Sequence, residues 1–121
     1  MADLSAKQVM VLARIRDRIR TVMEKTSGKT AGHLDHDPVF REEVLTPVME
    51  IISDLRHIPD QIRRRYHQVP WDSLELAAHR LAGGDRANAS LLLWAVASSF
   101  VPMLRQPLDL MLAVHEAGVS A

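Results

Sequence analysis

The chain has 121 residues, 47% of them hydrophobic, with 15 Lys and Arg balancing 15 Asp and Glu, and no Cys. A formal net charge of zero argues against a coat protein held on nucleic acid by bulk charge. The apolar content excludes a disordered chain, and the lack of thiols excludes disulfides and thiolate metal sites. Aromatic residues make up only 4%, so the core has to be built from Leu, Ile, Val, Met and Ala, most of which favour helices.

Ser5-Ala6-Lys7-Gln8 reads as a capping box, in which the Ser hydroxyl and the Gln side chain each satisfy a backbone N–H at the helix start. Val9, Leu12, Ile15, Ile19, Val22 and Met23 then recur at helical spacing, predicting a first helix from about Ala6 to Lys25. Ser27-Gly28-Lys29-Thr30-Ala31-Gly32 ends it and opens a flexible loop over about 27–37. Asp37-Pro38 has the form of an N-cap followed by Pro at the first helical position. Phe40, Val44, Leu45, Val48, Ile51, Ile52, Leu55 and Ile58 predict a second helix to about His57, kinked at Pro47.

Pro59 to Tyr66 predicts a short helix ending in the basic run Arg63-Arg64-Arg65. Val69-Pro70-Trp71 is a turn, Leu74 to Leu81 a further helix, and Gly83-Gly84 its stop, with a left-handed glycine expected there. Asn88 can cap a helix carrying Leu91, Leu92, Trp94, Ala95, Val101 and Leu104, which Pro102 and Pro107 should bend or break. Leu108 to about His115 makes a last helix. With no strand-like alternation and no internal repeat, the expected fold is all-α: one domain over 1–121, a four- to five-helix up-and-down bundle.

Three blocks between Phe40 and Leu104 resemble the HepT-like branch of the HEPN superfamily. This branch comprises the ribonuclease toxins paired with minimal nucleotidyltransferases. Glu50-Ile51-Ile52-Ser53-Asp54-Leu55 sits where that family has an apolar helix with a Gly-Glu-Ala step. Ile62-Arg63-Arg64-Arg65-Tyr66-His67-Gln68-Val69-Pro70-Trp71 looks like its R-x-x-Y-x-x-I-P-W segment, the most specific of the three. Leu91-Leu92-Leu93-Trp94 with Phe100-Val101-Pro102-Met103-Leu104 is similar to its final helix.

The resemblance implies a HEPN-like bundle, a homodimer with its cleft between protomers, and a catalytic Arg separated from a His by four to six intervening residues. Aligning Trp71 and Leu81 puts Ala78 at the Arg position, Gly83 at the His position, and Asp85 where the family carries the Tyr that its partner modifies. No Arg in the chain has a His five to seven positions downstream, so the motif is missing rather than displaced. Metal-free RNA cleavage needs a near-neutral acid or base and a fixed cation on the phosphate. Ala78 and Gly83 supply neither.

His79 and Arg80 are the nearest substitutes, but adjacent helical residues point about 100° apart and do not converge within one chain. They read first as a surface pair, and second as a site rebuilt across a dimer. His33, Asp35, His36 and Asp37 fit a metal-ligand spacing only loosely and read as loop plus N-cap. Arg14, Arg16, Arg18 and Arg20 flank the stripe of the first helix, and Arg63 to Arg65 form a second basic cluster. These are solvated faces or contacts to RNA phosphates or an acidic partner, with Arg14, Arg18, Arg63, Arg64, Arg65 and Arg86 as the candidate contacts. Trp71 and Trp94 read as core anchors.

Two function classes follow. One is a non-catalytic binding or regulatory module related to toxin–antitoxin ribonucleases; the other is an active toxin using non-standard residues at the dimer cleft. The expected partners are a second copy, with apolar surface from Leu108 to Val114 and Met103, and a nucleotidyltransferase-type protein, with RNA a weaker candidate. No cofactor or metal is expected. Met1 to Ser5 begins no signal peptide, and Arg14 to Arg20 would interrupt the apolar core of one. The longest apolar run, Leu91 to Val101, contains Ser and is expected to be too short for a bilayer, so the expected location is cytoplasmic.

Overall fold

The computed structural model describes residues 5–67, 69–83 and 89–120. Ser5 opens α1 (Ala6–Thr26) with the capping box read from the sequence. Its hydroxyl accepts from the Gln8 N–H at 3.1 Å, and Gln8 Oε1 accepts from the Ser5 N–H at 2.9 Å. Val11, Leu12, Ile15, Ile19 and Val22 make the buried stripe. Gly28, at φ +73°, turns the chain after the helix through a left-handed conformation that a β-carbon would strain.

The segment expected as a loop is partly helical, since α2 spans Ala31–His36. His33 takes the role that Glu or Gln has in a capping box: its Nδ1 accepts from the Thr30 N–H at 3.0 Å and lies 3.0 Å from Thr30 Oγ1. Leu34 is buried, and the His33 ring meets Phe40 edge-on with centroids 6.4 Å apart. A hydrophobic foothold plus a cap therefore orders what Gly and polar residues alone would leave as coil. α3 (Pro38–Leu55) starts as predicted, with Asp37 Oδ1 accepting from the N–H groups of Val39 and Phe40, both at 3.1 Å. It stays helical through the buried Pro47.

α4 (Asp60–Arg65) and α5 (Trp71–Ala82) follow. The C-terminal part departs most from expectation. α6 (Ala89–Ala95) runs through a π-helical segment, Val96–Phe100, into α7 (Val101–Ser120), so one helical rod replaces two helices separated by prolines. The Val101 N–H donates to the Val96 carbonyl five residues back, and Ser98 Oγ donates to the Trp94 carbonyl at 2.6 Å. Pro102 cannot donate, and its ring crowds the carbonyl one turn back. The wider π turn just ahead of it lets the rod pass the proline unbroken.

Unbroken, the rod contains Ser90–Ala113, 24 residues with mean hydropathy 1.2, which is long and apolar enough to cross a membrane by length and composition. The expected run Leu91 to Val101 is thus part of a longer apolar helix, and a packed core helix has the same length and composition. Its inner face is packed: Leu93, Val96, Val101, Leu104 and Leu108 are buried in the core together with Ile15 and Ile19 of α1 and Val44, Val48 and Ile51 of α3. α1 packs chiefly on α3 and α7. No strand occurs among the described residues, and the fold is all-α.

Candidate functional site

The arginines of α1 organise the molecule's polar surface. Residues two apart on a helix lie about 200° apart, and residues four apart lie nearly in line. Arg14 and Arg18 therefore fall on one flank of the buried stripe, and Arg16 and Arg20 on the other.

The first flank faces α3. Arg14 donates to both carboxylate oxygens of Asp54, from Nε at 2.9 Å and Nη2 at 2.7 Å, the two-pronged geometry an arginine makes best. Arg18 pairs with Glu50 and reaches Asp54 at 3.7 Å, and Lys25 meets Glu43 at 3.3 Å. Positions rising along α1 match positions falling along α3, so the ladder fixes the two helices as antiparallel neighbours in one register. Asp54 is 8% exposed, and its hydrogen bond and charge raise the Arg14 pKa above its ordinary value. A groove of about 930 Å³ runs along this seam, with its three cations, Arg14, Arg18 and Lys25, each paired to a carboxylate.

The second flank faces α7. Here Arg16, Arg20 and Arg105 line a groove of about 680 Å³ with Glu24, Asp109, Ser27 and the apolar Ile19 and Met23. None of these three arginines makes an ion pair with a described carboxylate. Arg16 Nε is buried and has no hydrogen-bond partner among the described residues.

Arg63 joins α3, α4 and α5. It donates to the carbonyls of Leu55 at 2.8 Å and Ile58 at 3.3 Å, pairs with Glu75 at 3.0 Å, and lies 5.4 Å from the centre of the Trp71 ring. Trp71 Nε1 in turn donates to the carbonyls of Arg63 and Tyr66. The cluster closes the chain's turn from Leu55 to Trp71 by satisfying carbonyls at the end of α3. Trp71 and Trp94 are half-buried and pack against the core from its edge.

Arg14, Arg18 and Arg63, expected as contacts for RNA or an acidic partner, are thus spent on internal ion pairs that lock helix to helix. Arg64 and Arg65 are exposed; Arg86 lies outside the described residues. At the positions matching the ribonuclease motif, Ala78 is fully buried, while His79 and Arg80 are exposed on α5. Gly83 is not the left-handed cap expected of it: φ is −76° and ψ −5°, and a β-carbon there would sit 3.1 Å from the His79 carbonyl oxygen. Asp85 lies outside the described residues. His33 and Asp37 serve as caps, and no group of three His, Asp or Glu is arranged as metal ligands among the described residues.

The α7 groove was not legible as a site. The four-residue spacing of Arg16 and Arg20 was visible, but their meeting with Arg105 depends on tertiary packing that no local pattern encodes. Comparison of the chain with family models, with curated proteins and with solved structures finds no match.

Proposed function

We propose that the protein is a non-catalytic binding or regulatory module of the HepT-like kind, acting in the cytoplasm as a homodimer with a nucleotidyltransferase-type protein as its partner and RNA contact secondary. The observation that carries this reading is Ala78, 0% exposed. Where the resemblance calls for a cation on the phosphate, this chain has a methyl group in its core. The position for the base is a glycine whose β-carbon would crowd a carbonyl. Arg14, Arg18 and Arg63 are tied into the scaffold, which takes three of the expected contacts away from orienting RNA for cleavage.

The apolar surface available for dimerisation differs from the segment expected. Leu108, Met111 and Leu112 are core residues, whereas Met103 at 49% and Leu110 at 47% exposure lie two turns apart on one face of α7, with Leu91 exposed further back on the same rod. A two-fold interface brings a patch against its own copy, and these side chains bring no like charges together. Light scattering at micromolar concentration is expected to give a dimer, and Leu110→Asp to shift it toward monomer. A monomeric parent protein would contradict the dimer. Expression in growing cells is expected to leave growth unaffected; arrest relieved by His79→Ala would instead favour an active toxin.

A further inference from the structure

We infer that the groove between α1 and α7 is an anion site that takes the terminal phosphate of a small organic phosphate. Three guanidinium groups line it, two from one face of α1 at Arg16 and Arg20 and one from α7 at Arg105. The other arginine pair of the same helix shows how this protein treats cations it uses as scaffold: Arg14 and Arg18 each have a carboxylate within 4 Å. Arg16, Arg20 and Arg105 have none among the described residues, although Glu24 and Asp109 line the same groove.

The buried Arg16 Nε is the second sign. A guanidinium N–H removed from water without an acceptor is costly, and such groups in a folded protein call for an explanation. An anion seated among the three side chains supplies that acceptor once the Arg16 side chain turns its Nε toward the groove it lines. Arginine offers a fixed fork of donors, and three forks outnumber the two oxygens of a carboxylate. A terminal phosphate, with three oxygens and close to two negative charges, matches them. Glu24 and Asp109 can accept from hydroxyls on the body of the ligand, and Ile19 and Met23 offer it an apolar wall. The groove, about 680 Å³, is of the size that holds a small metabolite. The site stands apart from the HepT-like reading and survives if that reading fails.

The test is calorimetric titration of the full chain with inorganic phosphate, with glucose 6-phosphate, and with glucose as the uncharged comparison. Saturable binding of both phosphates, and none of glucose, is expected. Tighter binding of glucose 6-phosphate would assign the organic body to the groove, and equal affinities would assign the site to the phosphate group alone. Arg20→Gln and Arg105→Gln, both at exposed positions, should each weaken binding about tenfold or more. Arg56→Gln, which removes an exposed charge that is not part of the groove lining, should not. Arg16→Gln should behave like the first two, and the exposed pair keeps the test valid if Arg16→Gln does not fold. Absence of saturable binding by either phosphate, binding of glucose as tight as its phosphate, or an equal loss in Arg56→Gln would overturn the site.

Discussion

Ala78→Arg is expected to unfold the protein. Ala78 has no exposed surface and belongs to the same apolar core as Val69, Leu74 and the buried residues of the adjoining helices. An arginine there must either bury its charge without a partner or force α5 away from the core. Uncompensated buried charge and overpacking are among the few causes of losses above about 4 kcal/mol. Domains of this size have only about 5–15 kcal/mol to lose. Circular dichroism should show loss of the cooperative thermal transition, and limited proteolysis should degrade the variant rapidly. A folded variant with a Tm close to the parent's would mean that α5 can present position 78 to solvent, which would reopen the catalytic reading. The outcome also decides the obvious repair experiment. Adding Gly83→His to Ala78→Arg is expected to rescue nothing, because the scaffold is lost at the first substitution.

Ile15→Ala should be the most damaging of the conservative truncations in α1. Ile15 is fully buried at the middle of the helix, between the flank that faces α3 and the flank that faces α7. Removing its outer carbons costs their transfer from water plus the cavity left among side chains held by two neighbouring helices. Such truncations cost about 2–5 kcal/mol. For a domain of this length that corresponds to a fall in Tm of roughly 10 °C or more. Met10→Ala provides the contrast: Met10 is 70% exposed, and its truncation should change stability by less than about 0.5 kcal/mol. Thermal melts of the two variants beside the parent check both values. Equal losses would mean that α1 does not face the core as described.

Much of the helical pattern was legible because the signals are local. Ser5 with Gln8, and Asp37 with Pro38, mark helix starts through hydrogen bonds made within one turn. The stripe from Leu12 to Val22 marks a buried face by its period alone. What failed depended on context. Thr30 and His33 form a cap in a stretch expected as loop, because His is an uncommon partner in that motif and the burial of Leu34 depends on helices outside the segment. Pro102 and Pro107 predict a bend or a break by the rule for an α-helix, and the chain shows no break at either. A π turn before Pro102 changes the geometry to which that rule applies.

The polar surface was the least legible part. Arg14, Arg16, Arg18 and Arg20 look alike along the chain, and helical geometry separates them into two pairs. Their different fates come from Asp54 and Glu50 on one neighbouring helix and Arg105 on another. The burial of Ala78 followed from its place on α5 and could have been suspected from Ala77 and Ala78 continuing the apolar series of Leu74 and Leu81. The right-handed backbone of Gly83 could not, since glycine after a helix more often turns the other way.

On the proposed function, this helical scaffold binds without cleaving. Its most direct test is a turnover assay of the purified protein on mixed RNA, run beside His79→Ala and Arg80→Ala. No cleavage above the buffer control by any of the three proteins is the predicted result. Cleavage by the parent that disappears in both variants would contradict it, and would place an active site on the exposed face of α5.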